Sequence, residues 1–196
     1  MKTDFAIWGS LIPKIKPPSY TVFFHMQYFH MELFHIPFLM NDSYGMTMIK
    51  LRLATMDDAE ILLQWRNDPE TRSASHDTAI VMMDDHLHWL SRNLKDQLVK
   101  IYIGMADGIL IGTVRINEES TGNMLSWTIA PDHRRKGYGY ALVRAVAEKA
   151  GGQLKAQIKT KNIASRKIAE SIGLHLKAEE NGLCHYEFPV GSFSGS

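Results

Sequence analysis

Cysteine is almost absent from this 196-residue chain. Cys184 stands alone, so no disulfide can close within the chain, which fits a reducing, cytoplasmic setting. Net charge is almost absent too. The 22 Lys and Arg residues balance 21 Asp and Glu to leave +1, so no overall field draws the protein to nucleic acid or to a membrane. Long apolar runs are missing. The most hydrophobic stretch, Thr21 to Met40, is broken by His25, Gln27, His30, Glu32, His35 and Pro37. A spanning helix needs about 20 largely apolar residues. The stretch also lies too far from the N-terminus for a signal peptide and lacks a small-residue cleavage site. Its three histidines recur every five residues, a spacing that shares no helix face, so no metal site is expected. Internal repeats are absent, and the length suits one domain with a real core. Regular periodicity begins at Ile49. Residues 1–47 are therefore expected to form an extension outside the fold, 48–190 the domain, and 191–196 a disordered tail. Failure of a chain starting at Met48 to fold would overturn that division.

From Ile49 to Leu53 apolar residues alternate as in a strand. Thr55 and Asp58 form a capping box that opens a helix through Ala59, Leu62 and Leu63 to Trp65, which Asn67-Asp68-Pro69 breaks. A second helix is expected from Asp84, with Leu87, Leu90 and Leu94 on one face. Val99 to Met105 and Ile109 to Ile116 flank Asp107-Gly108, a hairpin signal, and Met124 to Ala130 makes a fourth strand. A helix after Gly139 buries Leu142, Ala145, Val146 and Ala150 and ends at Gly151-Gly152. Leu154, Ala156 and Ile158 alternate as a fifth strand. Asn162 caps a helix running to Gly173, and two short strands follow, near Leu176 and from Leu183 to Phe188. The order is strand, two helices, three strands, helix, strand, helix, two strands: an α/β layering around a mixed sheet.

The segment Ile129 to Leu142, IAPDHRRKGYGYAL, carries the chemistry. A strand runs into Pro131, then a basic glycine-punctuated loop, then a helix. Gly137 and Gly139 let backbone approach a ligand where a Cβ would clash. The helix start offers unpaired N–H groups and the positive end of its dipole, which together cradle phosphate. Arg134, Arg135 and Lys136 add charge at the rim. A Walker A loop is excluded because Tyr138 follows Gly137, and a Rossmann fingerprint would need a third glycine.

The Arg-x-x-Gly-x-Gly spacing at Arg134, Gly137 and Gly139 resembles the acetyl-CoA motif of the GNAT N-acetyltransferase superfamily, and the element order over residues 49–188 is similar to that family's. Asn162 followed by Gly173-Leu174 is a second match. The resemblance implies a mixed central sheet with helices on both faces and two strands splayed at the acetyl-CoA site. It implies that Ile129, Ala130, Arg134, Arg135, Lys136, Gly137, Tyr138, Gly139, Tyr140 and Asn162 contact the cofactor, with no metal. Two usual catalytic groups are missing. Met124 stands where many members carry a glutamate base, and Ala169 where many carry a tyrosine acid. A thiolate leaves tolerably on its own, with a thiol pKa of about 8.5. The base stays open between Glu118 and Glu119, which precede Met124, and His86, with His76 also a candidate.

On the acceptor side, Arg66 and Asn67 end the first helix, His86 and Trp89 share a face of the second, and Arg115 alternates with Val114 and Ile116. Trp-Arg-Asn-Asp-Pro, His-x-x-Trp and Gly-x-x-Arg (Gly112 to Arg115) resemble the GNAT branch that acetylates nucleotide-linked amino sugars in surface-glycan pathways, such as pseudaminic-acid synthesis, and related spore-coat polysaccharide proteins. The resemblance implies a small-molecule amine acceptor held by Arg66, Asn67, Trp89 and Arg115. It implies no nucleic-acid or membrane partner, and leaves room for a homodimer. Two alternatives remain: a protein N-terminal acetyltransferase of the ribosomal-protein type, and a non-catalytic acetyl-CoA-binding module.

Overall fold

The computed structural model describes residues 48–188, so the expectations for the extension and the tail lie outside the described residues. The chain runs β1 (Lys50–Leu53), α1 (Ala59–Asn67), α2 (Pro69–Ala74), α3 (Met83–Lys95), β2 (Val99–Ala106), β3 (Ile109–Glu119), β4 (Gly122–Ile129), α4 (Tyr138–Ala150), β5 (Leu154–Lys159), α5 (Ile163–Ser171), β6 (His175–Glu180) and β7 (Leu183–Glu187). Short 3-10 turns precede α1 and follow β4. The strands form one sheet in the order β1-β2-β3-β4-β5-β7-β6. Every neighbouring pair is antiparallel except β4 with β5, which is parallel. No helix among the described residues is long and apolar enough to cross a membrane.

Alternation along the strands divides the apolar residues between the two faces. On one face Val114, Ile116, Leu125, Leu154, Ala156 and Ile158 pack with Leu142, Val143 and Val146 of α4 and Ala169 of α5. On the other, Ile101 and Ile103 pack with Leu62 and Trp65 of α1 and Leu90 of α3. Asp107 and Gly108 take φ values of 50° and 80°, the left-handed pair that a two-residue hairpin requires.

The sequence predicts two helices between Ile49 and β2, and the structure has three there among the described residues. Asp68-Pro69 ends α1 but also starts α2: the Asp68 carboxylate accepts from the Thr71 N–H at 3.0 Å, with proline at the first helical position. Pro69 is thus a starter as well as a breaker. A second difference lies in the β3–β4 hairpin. Glu118 and Glu119 belong to β3, not to the turn, because pairing continues to Glu119↔Gly122.

The entry to α1 turns on one buried carboxylate. Asp58 accepts two hydrogen bonds from Arg52, both 2.7 Å, and one from the Thr55 N–H at 2.8 Å. The Arg52 guanidinium holds its carboxyl below the ordinary carboxylate value, against the opposing effect of burial. A lowered pKa contributes stability above the unfolded value of about 3.9 that is lost as pH falls through the folded value. Asp58→Ala is expected to cost about 2 kcal/mol at pH 7. In urea denaturation the gap to wild type should shrink below about pH 4; a gap that persists there would show that the carboxylate charge is not what stabilises.

Candidate active site

The parallel pair at the centre of the sheet parts company. β4 and β5 pair only at Asn123↔Leu154, Met124↔Lys155 and Leu125↔Ala156. β4 nevertheless stays paired with β3 up to Ile129, and β5 with β7 up to Lys159. The facing edges of residues 126–129 and 157–159 are therefore left without each other, and unpaired strand edges accept an added extended chain.

The opening leads to the glycine loop. Arg135 and Gly137 have φ of 59° and 81°, and α4 starts at Tyr138. Among the described residues, none accepts a hydrogen bond from the N–H groups of residues 135–140. A Cβ built on Gly137 meets nothing within 4 Å, whereas one on Gly139 would lie 2.7 Å from Ile168 Cδ1 and 3.4 Å from Ile129 Cγ1. The two glycines thus differ in role: Gly139 lets α4 approach α5 and β4, and Gly137 turns the chain beneath open space. Free donors, a helix start and that open space fit a diphosphate. Arg135 and Lys136 are exposed at its rim.

Arg134 is not a rim charge. Its guanidinium donates to Asp68 at 2.6 Å, Glu70 at 3.1 Å, Thr71 Oγ1 at 2.8 Å and the Ile129 carbonyl at 3.2 Å. Its donors are consumed in fastening the loop to α2. Burial raises the Asp68 pKa, but the Thr71 N–H and Arg134 outweigh it and hold the carboxyl low. Asn162 likewise works inside the protein, capping α5 through the Ser165 N–H at 3.1 Å. The Tyr140 hydroxyl accepts from Arg144 at 2.7 Å, and Tyr138 meets His133 edge-on.

The opposite mouth of the opening lies on the α1/α3 face of the sheet. Arg115 stands there opposite Ser126. Its guanidinium lies over the Trp89 ring, 5.8 Å from the centroid. It makes no hydrogen bond or ion pair with any described residue, and burial lowers its pKa. The other acceptor-side expectations change. Asn67 clamps Val81, donating to its carbonyl at 2.8 Å and accepting from its N–H at 2.9 Å. Arg66 donates to the Asp77 carbonyl at 2.9 Å, leaving Nη1 buried without a partner among the described residues. Both order the loop between α2 and α3, and each Asn67 amide atom is already engaged by Val81.

The base candidates separate. Glu118 alternates onto the α4 face and pairs with Lys100, away from Arg115. His86 is buried against Trp89, rings 5.5 Å apart, and burial pushes its imidazole below the ordinary value. His76 lies in the loop after α2. Glu119 lines a cavity of about 250 Å³ together with Met124, Lys155, Gln157, His185 and Glu187. Sequence reasoning missed His185; its only signal was its place beside Cys184 and Tyr186 in a strand of alternating burial. Ala169 is fully buried in the core, so no acid can act from that position.

The profile of the acetyltransferase (GNAT) domain family matches residues 49–175. No curated protein sequence matches the chain significantly. Among solved structures, the fold is similar to Salmonella typhimurium YncA with its cofactor acetyl-CoA (17% identity, 76% of this chain and 97% of that one, TM-score 0.60). It is similar to spermidine N-acetyltransferase from Vibrio cholerae in complex with CoA and spermine (14%, 71% and 93%, 0.63). It also resembles aminoglycoside acetyltransferase AAC(6')-Ib with coenzyme A and kanamycin (20%, 71% and 92%, 0.60).

Proposed function

Because this chain belongs to the GNAT acetyltransferase family, we propose that it moves an acetyl group from acetyl-CoA to a primary amine on a nucleotide-linked amino sugar. The carrying observation is Arg115: a half-buried guanidinium on the acceptor side, seated on Trp89 and with no counter-ion among the described residues. An uncompensated buried cation is costly unless an anion completes it. A guanidinium fork suits the phosphates of a nucleotide, and the ring beside it suits a base or sugar face. The same charge repels a polycation, which sets this site apart from the spermine and kanamycin bound by the structural neighbours.

When bound, acetyl-CoA supplies an acyl group on sulfur, a leaving group whose thiol pKa is about 8.5. The N–H groups of residues 135–140, with Arg135 and Lys136, hold the diphosphate, and the edges of residues 126–129 and 157–159 hold the pantetheine arm. Arg115 orients the acceptor so that its amine meets the thioester. Release of free thiol is the test, with UDP-glucosamine, spermidine, kanamycin and an N-terminal peptide as acceptors. Turnover on UDP-glucosamine above the others supports the reading; turnover on the peptide alone overturns it, and acetyl-CoA binding without turnover on any amine points to a binding module.

A further inference from the structure

We infer that His185 takes the proton from the acceptor ammonium, in place of the missing glutamate; this rests on the acetyl-transfer reading above. The register of the sheet sets out the geometry. Arg115 stands opposite Ser126, and Gln157 opposite His185. Ser126 and Gln157 are the first residues past the last paired position, Leu125↔Ala156, so they flank the mouth of the opening. One row therefore crosses the sheet on the acceptor face: Arg115, Ser126, the opening, Gln157, His185. Paired strands lie about 4.8 Å apart, and the middle step is wider because β4 and β5 have parted there, so the Arg115 and His185 backbones stand more than about 14 Å apart across the opening. The opening, where an acetyl group would emerge, lies between an anion-reading group and an imidazole.

The cavity beside that row contains the replacement. Met124 puts a thioether there, one step below Ser126. Lys155 and Glu187 face the same cavity but satisfy each other at 3.6 Å. Glu119 lies at the far end, beside the hairpin turn. Lys159 and Glu180 are brought by register to the row beyond His185, and Lys159 donates to the Ser73 carbonyl at 3.0 Å. His175 stands opposite Glu187. The His185 ring makes no hydrogen bond or ion pair with any described residue, so neither ring nitrogen is engaged by a described neighbour.

The step balances. The ammonium N–H bond breaks and its proton goes to a His185 ring nitrogen, directly or through one water, then to solvent. The freed lone pair forms the C–N bond to the acetyl carbon as C–S breaks. Sulfur leaves with the bonding pair and takes the second amine proton, giving the amide and CoA thiol.

The full chain, His185→Gln and Glu119→Gln are compared in kcat/KM between pH 5.5 and 9.5, using whichever of UDP-glucosamine, spermidine or kanamycin wild type acetylates fastest. His185→Gln is expected to lose about 100-fold at neutral pH, lose the lower limb of the profile, and recover where the amine is neutral by itself. Its KM for acetyl-CoA should stay unchanged. Retention of rate and limb by His185→Gln, or their loss in Glu119→Gln alone, overturns the assignment. A crystal structure with acetyl-CoA decides it even if no acceptor turns over. A His185 ring beyond about 8 Å from the thioester carbon, more than an attacking nitrogen and one water span, refutes the role.

Discussion

Tryptophan at Gly137 is expected to abolish acetyl-CoA binding, read as the absence of binding heat in titration calorimetry. Two costs combine. The backbone there has φ of 81°, which charges any residue with a Cβ about 1–2 kcal/mol. The side chain would then project into the open space over the loop, where no described residue stands within 4 Å of the added Cβ, and an indole would fill what a diphosphate must occupy. Two further variants separate these costs. Gly151→Ala, at the far end of α4 with φ of 61° and no neighbour within 4 Å, carries the backbone cost alone and should lower the melting temperature while keeping affinity. Gly137→Ala, in the left-handed helical region (φ 81°, ψ −12°) where alanine costs less than at Gly151 (φ 61°, ψ −177°), adds one methyl at the cradle and should bind more weakly without losing binding. Full affinity in the tryptophan variant would refute the cradle.

Arg115→Met is expected to move activity and stability in opposite directions. Its guanidinium lies over Trp89 with no anion among the described residues to complete it, so its desolvation is not offset by any of them. Methionine has similar length and no charge, and such replacements are commonly neutral or stabilising. The melting temperature should hold or rise. Toward UDP-glucosamine, kcat/KM should fall roughly 100-fold or more, about 3 kcal/mol, as expected when one partner of a buried charged contact is removed. Affinity for acetyl-CoA should not change. Arg115→Lys keeps the charge but loses the planar fork and the ring stacking, and should fall between the two. A methionine variant that loses stability and keeps its rate would make Arg115 a structural residue.

The fold was legible because its signals are local. Alternating Leu154, Ala156 and Ile158, Asp107-Gly108 and the capping Asn162 each name an element within a few residues, and each is found. The glycine loop was legible for the same reason. Long-range pairing was not. Nothing within the loop shows that Arg134 reaches back 66 residues to Asp68, so it read as a ligand-facing charge. Arg66 and Asn67 read as cleft residues because a helix ends there, yet their partners lie 11 and 14 residues on, in a loop without periodicity. The acceptor side was the least legible: Glu118 and Glu119 differ only in the face of β3 they occupy, and His185 reaches the opening only through the pairing of β7 with β5. Helix α2 was within reach, since an Asp-Pro pair can begin a helix as well as end one.

The Arg134 fastening bears on how this sequence can drift. One guanidinium spans the Ile129 carbonyl at the end of β4 and three side chains at the start of α2, while Asn67 and Arg72, on either side, hold the following loop at Val81 and Thr78. Losing Arg134 leaves the Asp68 carboxylate partly buried with only Thr71 to face it, and losing Asp68 uncaps α2 as well. Neither position can change without penalising the other. A deep mutational scan should therefore find position 134 intolerant in combination with position 68, with the double replacement by an uncharged pair less harmful than the two single losses added together.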